Sequence, residues 1–209
     1  MIIIIYYTIK RLQLERETPM THLEIEYKTL LNKDEFQRLS TLFSHVTPVT
    51  QTNYYFDTKN FDMKTNRMSL RIRTLPDQAE LTLKIPEEVG NLEYNIDLTL
   101  EEAREIIKSG NLPDNAITQL ISTKGVNIKE LINFGHLTTT RRETMTKIGL
   151  MALDSNQYAD IKDYELELEV SNAEKGKADF DTFLSEHNIN FKYAKSKVAR
   201  FSATLNRNN

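Results

Sequence analysis

Apolar and charged residues alternate strictly along five stretches of this chain, and the charged positions separate by sign. The first stretch runs His22-Leu23-Glu24-Ile25-Glu26-Tyr27-Lys28 and the last Tyr164-Glu165-Leu166-Glu167-Leu168-Glu169-Val170. Between them lie Leu70-Arg71-Ile72-Arg73, Leu81-Thr82-Leu83-Lys84 and Thr139-Thr140-Arg141. A strand repeats every two residues, so Glu24, Glu26 and Lys28 share one face while Leu23, Ile25 and Tyr27 share the other. The same pattern predicts eight strands, over about 22–30, 51–57, 67–74, 79–85, 91–98, 137–145, 148–155 and 162–171.

Helical spacing fills the gaps. Asn32 with Glu35, and Thr99 with Glu102, read as capping boxes ahead of apolar residues at helical intervals. Pro113-Asp114 opens a third helix carrying Ile117, Leu120 and Ile121, and a short fourth follows at about 127–133. Two more are predicted over 172–188 and about 195–205. Most links between strands are too short for parallel crossovers, so the sheet is expected to be antiparallel. Eight antiparallel strands can close on themselves and remove their exposed edges. The expected fold class is therefore α+β, a closed eight-stranded antiparallel barrel with helices packed outside and a helical insert at about 99–133.

An ordinary half-buried sheet would leave its charged face in water, with both signs mixed. Here Glu24, Glu26, Glu165, Glu167 and Glu169 stand against Arg71, Arg73, Lys84 and Arg141. Helices with apolar stripes must cover the apolar faces, which turns the charged faces inward to line a polar tunnel. Arginine donates two hydrogen bonds at once to a phosphate and stays ionised at any working pH. Alternate carboxylates are hard oxygen ligands suited to magnesium or manganese. Together they point to a metal-bound polyphosphate.

The remaining composition narrows the field. A net charge of −3 with 27% charged residues argues against general attraction to nucleic acid or an anionic membrane. The chain has no cysteine, which excludes disulfides, thiolate catalysis and zinc-thiolate sites. Its four histidines, His22, His45, His136 and His187, form no metal-ligand spacing. The apolar start, Met1 to Tyr7, is too short to span a bilayer and lacks the flanks of a signal peptide. Residues 1–19 are read as an upstream extension without function, residues 20–209 as one domain, and the cytoplasm as the address. A homodimer is left open.

The ordered segments resemble the CYTH superfamily, the triphosphate tunnel metalloenzymes. Glu24-Ile25-Glu26-Tyr27-Lys28 is similar to that family's ExExK signature. Asn53 to Thr58, Leu70 to Arg73, Leu81 to Lys84, Arg141, Leu153-Asp154, the Glu165/Glu167/Glu169 strand and Lys197 with Arg200 follow in the family's order. The resemblance covers about residues 21–205 and is nearest to the stand-alone bacillus-type bacterial proteins. It implies a small-molecule triphosphate substrate and Mg2+ or Mn2+ as cofactor. By the same resemblance, Glu24, Glu26, Asp154, Glu165, Glu167 and Glu169 would hold metal. Lys28, Arg71, Arg73, Lys84, Arg141, Lys197 and Arg200 would grip the phosphates, and Glu93 is a further acidic position. Glu26, Lys28, Arg71 and Glu167 are the residues expected at the reacting centre. Which glutamate of the last strand is a ligand stays open. Arg142 neighbours Arg141 and points the opposite way on a strand, so only one should enter, and Lys195 likewise competes with Lys197.

The reaction these features imply is hydrolysis of a linear triphosphate. The alternatives are a cyclase, in which a ribose hydroxyl attacks and diphosphate leaves, and a module that binds a polyphosphate or nucleotide without turnover. Tyr54 and Tyr55 face opposite sides of a strand, so they do not make a base-stacking pair.

Overall fold

The computed structural model describes residues 19–205, so the extension read at residues 1–19 lies outside the described residues except for Pro19. Eight strands form the sheet: β1 (Met20–Leu31), β2 (Val49–Asp57), β3 (Ser69–Thr74), β4 (Ala79–Pro86), β5 (Asn91–Leu98), β6 (Ile132–Met145), β7 (Leu150–Tyr158) and β8 (Ile161–Val170). They close into a barrel in the order β1-β5-β4-β3-β2-β6-β7-β8. The helices are α1 (Lys33–Leu42), α2 (Asp62–Thr65), α3 (Leu100–Ser109), α4 (Ala116–Thr123), α5 (Ala173–Glu186) and α6 (Lys197–Leu205), with a 3-10 turn at Ile128–Glu130.

Local chemistry sets most of these boundaries. The backbone N–H of Glu35 donates to Asn32 Oδ1 and that of Asn32 to Glu35 Oε2, at 2.8 and 2.7 Å, so α1 begins with a reciprocal cap. Thr99 and Glu102 do the same for α3. Helix α4 begins after Asn115 rather than at Pro113-Asp114, because the Asn115 side chain accepts from the Thr118 N–H. The short fourth helix shrinks to the 3-10 turn, and β6 starts at Ile132, five residues ahead of the predicted 137. Gly135, at φ 142°, carries the strand through a conformation that side chains resist. Helix α2 has no apolar periodicity to announce it. It is nucleated by the Asp57 carboxylate, which accepts from the N–H groups of Thr58, Met63 and Lys64.

The chain divides into two compact units. In the unit containing residues 54–86 and 92–135, Leu70, Ile72, Leu81 and Leu83 pack with Ile106 of α3 and Ile117 and Ile121 of α4. In the unit containing residues 23–53, 87–91 and 136 onward, Met151, Leu153, Leu166 and Leu168 pack with Leu39 of α1 and Phe180 and Leu184 of α5. Both clusters take the apolar alternate positions of their strands, so Arg71, Arg73, Glu165 and Glu167 point the other way. Gly176 lets α5 approach β8: a Cβ there would stand 2.5 Å from Val170 Cγ2. Among the described residues no helix is long and apolar enough to cross a membrane.

Candidate active site

Strand register assembles the polar wall of the second unit. Arg141 of β6 lies opposite Asp154 of β7, and Asp154 opposite Glu165 of β8. Lys28 of β1 lies opposite Glu167, and Glu26 opposite Glu169. Directly opposed residues share a face, so β1, β6, β7 and β8 present one continuous row of ionisable groups.

Those groups pair closely. The Arg141 guanidinium forks onto Asp154, Nε to Oδ1 at 2.8 Å and Nη2 to Oδ2 at 2.7 Å, and Nη2 also reaches Glu167. From the start of α6, Lys197 Nζ lies 2.9 Å from Asp154 Oδ2 and 2.8 Å from Glu167 Oε1, and it pairs with Glu165. Arg200, one turn on, stands 3.0 Å from Asp163 and 2.9 Å from Glu165, at angles that make neither contact a hydrogen bond. Lys28 pairs with Glu26. Asp154 and Glu165 are fully buried, which is tolerable only because cations surround them.

The same surroundings divide the carboxylates. Burial pushes all three upward, but Lys197 and Arg141 overcome it at Asp154, and hold Glu167 well below the usual range. At Glu165 burial prevails over Lys197, with Glu167 adding to the rise. Lys197 and Arg141 resist burial and stay more basic than usual because of those carboxylates. Lowered carboxylates stabilise the fold above the unfolded-state value, ~4.3 for glutamate, and lose that contribution as pH falls through the lower folded value. We therefore expect the wild type to exceed Glu167→Gln in urea midpoint at pH 7, and the gap to narrow progressively as pH falls below about 4. Midpoints measured from pH 3 to 7 test this; a constant gap would contradict the pairing.

Asp154, Glu165 and Glu167 offer carboxylate oxygens within 4.8 Å of one another, a geometry able to hold a metal ion. Glu24, Glu26 and Glu169 stand in the same alternating rows but outside that group, Glu26 being tied to Lys28. Arg142 points away from Arg141 and donates to the Val46 carbonyl, and Lys195 is exposed. In the first unit Lys84 pairs with Glu93. Arg73 lies opposite Glu80 and Arg71 opposite Thr82, and Arg71 Nε is buried with no hydrogen-bond partner among the described residues.

The polar wall also holds residues that the motif reading passed over. Thr139 donates to Asn156, whose amide donates to Asp163 and Glu165, and the Tyr158 hydroxyl donates to Asp163. Asp163 stands two residues before Glu165, Asn156 two after Asp154, and Thr139 two before Arg141, so plain period-two extension of each row finds them.

The chain and its barrel fold have known counterparts. The chain is 31% identical over 183 residues to the "Putative triphosphatase YjbK" of Bacillus subtilis (strain 168), covering 86% of this chain and 94% of that protein. It superposes with a TM-score of 0.82 on a "putative adenylate cyclase" from Bacillus halodurans, 32% identical, over 87% of this chain and 98% of the other. A Hippeastrum "putative adenylyl cyclase" with a dominant triphosphatase activity shares the fold at TM-score 0.75 and 23% identity, over 87% of this chain and 96% of that one. The family model of the CYTH domain matches residues 22–202, and the chain belongs to that family.

Proposed function

We propose that this protein hydrolyses a linear triphosphate, inorganic tripolyphosphate or an organic triphosphate, to diphosphate and phosphate with a divalent cation. The observation that carries the reading is the buried wall in which Arg141, Lys197 and Arg200 interleave with Asp154, Glu165 and Glu167. Anion binding alone calls for cations only. Carboxylates set among them suit a ligand that brings positive charge of its own, as a metal-clad triphosphate does. The Bacillus subtilis relative, named a triphosphatase, supports the same reaction.

The donor set fits Mg2+ or Mn2+, since carboxylate oxygens are the hard ligands those ions prefer. Asp154, Glu165 and Glu167 would hold the ion, with Glu24, Glu26 and Glu169 on the adjoining rows. When bound, the ion would neutralise phosphate oxygens and acidify a water. The protein's own groups do the rest. Lys28, Arg71, Arg73, Lys84, Arg141, Lys197 and Arg200 hold the phosphate chain and stabilise charge on the transferred phosphoryl group. Arg71 brings a buried Nε–H that has no acceptor among the described residues. Glu26, outside the carboxylate triad, takes the proton of the attacking water, with Lys28 holding it in place. The absence of cysteine accords with a reducing, cytoplasmic setting.

Incubation with tripolyphosphate, thiamine triphosphate, ATP or GTP and either metal tests the proposal. Phosphate release that falls at least ~10²-fold in Glu26→Gln is the expected result, the scale of a lost general base. Cyclic AMP as product would place the chain with the cyclase named for its Bacillus halodurans relative. Tight binding without products would make it a sensor.

A further inference from the structure

The carboxylate triad already holds a cation. The single ammonium of Lys197 touches Asp154, Glu165 and Glu167, the same three residues whose oxygens lie within 4.8 Å of one another. Arg141 covers the outer oxygens of Asp154 and Glu167, and Arg200 stands at Glu165. Arg141 is shared with Glu143 and Arg200 with Asp163, so the Lys197 ammonium is the one of these cations that sits wholly within the triad. A bare divalent ion would gain little here, because it would have to sit beside an ammonium in a buried setting where like charges repel strongly.

Resting on the triphosphatase reading above, we infer that Lys197 is an internal occupant of the divalent-cation position, which a metal fills only as the lysine withdraws. The side chain has the freedom to do so. Its four-carbon stem is unbranched, it heads α6, and the residues before it, Lys195 and Ser196, are exposed. That approach segment is pinned further back, where the Leu30 N–H donates to the Lys192 carbonyl and the Lys192 N–H to Thr29 Oγ1, at 3.0 and 2.8 Å. A withdrawn Lys197 needs a new anion, and a phosphate chain arriving with the metal supplies one. The exchange therefore makes metal and triphosphate bind cooperatively: free metal binds weakly, and the metal–triphosphate complex binds well. It also keeps three adjacent buried carboxylates from standing uncompensated when no ligand is present.

The test is Mn2+ binding to the full chain without any phosphate, followed by titration calorimetry and by the melting temperature. Lys197→Met should bind Mn2+ at least tenfold more tightly than the wild type, whereas Lys197→Arg, which keeps the charge, should stay as weak. The Lys197→Met chain should be less stable in metal-free buffer and regain melting temperature with Mn2+, while the wild type shifts little. Equal Mn2+ affinity in wild type and Lys197→Met overturns the inference. So does a Lys197→Met chain that stays unfolded in saturating Mn2+. Neither readout requires turnover, so the two readings fail separately. Tighter Mn2+ binding by Lys197→Met beside a wild type that hydrolyses nothing would remove the triphosphatase reading and leave the exchange standing. Hydrolysis by the wild type without that tightening would do the reverse.

Discussion

Arg141→Met is expected to lower triphosphate turnover by about 10²–10³-fold, the scale seen when a preorganised donor to developing charge is removed. It should also destabilise the fold by about 3–5 kcal/mol, because Asp154 is left buried without its two-pronged partner. The two losses have different causes and separate by substitution. Arg141→Lys restores a charge near Asp154 but not the paired Nε and Nη2 donors, so it should recover part of the stability and little of the rate. Replacing both partners in Arg141→Met/Asp154→Leu removes the under-compensated carboxylate, so its destabilisation should fall short of the sum of the single changes. Steady-state kinetics with tripolyphosphate and urea unfolding measure the two quantities. A wild-type rate in Arg141→Met would take this arginine out of the site.

Much of this arrangement is legible in the chain because a period of two is an unusually rigid constraint. Once Leu166 and Leu168 are assigned to a helix-covered face, Glu165 and Glu167 have only the opposite face left. The capping boxes at Asn32 and Thr99 are equally local, and both stand as read. What alternation leaves undecided is choice among equivalent positions. Glu165, Glu167 and Glu169 are indistinguishable along β8, and the antiparallel register separates them: Glu165 comes level with Asp154, whereas Glu169 comes level with Leu150 near the start of β7. Lys197 is harder still. It reaches Glu167 from a helix thirty residues downstream, so its place depends on the packing of α6 rather than on any local pattern. Helix α2 is invisible for a third reason, since its single turn is organised by the buried Asp57 carboxylate and not by an apolar stripe.

Phe180→Ala should separate the two faces of the barrel wall by measurement. Phe180 is buried among Leu166, Leu168 and Leu153, on the side of β8 opposite Glu165 and Glu167. Its ring lies 6.2 Å from that of Tyr27, whose hydroxyl donates to the Ala173 carbonyl at 2.7 Å and ties β1 to the start of α5. Truncating a fully buried phenylalanine costs about 3–5 kcal/mol, from the lost transfer of the ring and the cavity left behind. The urea midpoint should therefore fall by an amount comparable to that of Arg141→Met. Turnover per folded molecule should nevertheless hold near the wild-type value at a temperature well below the transition, because the ring packs in the apolar cluster on the face of β8 opposite the ionised row. The two variants thus predict equal damage to stability and opposite outcomes for rate. If Phe180→Ala instead lost turnover while keeping its midpoint, the apolar face would be the working one, and the assignment of the charged row to the site would be reversed.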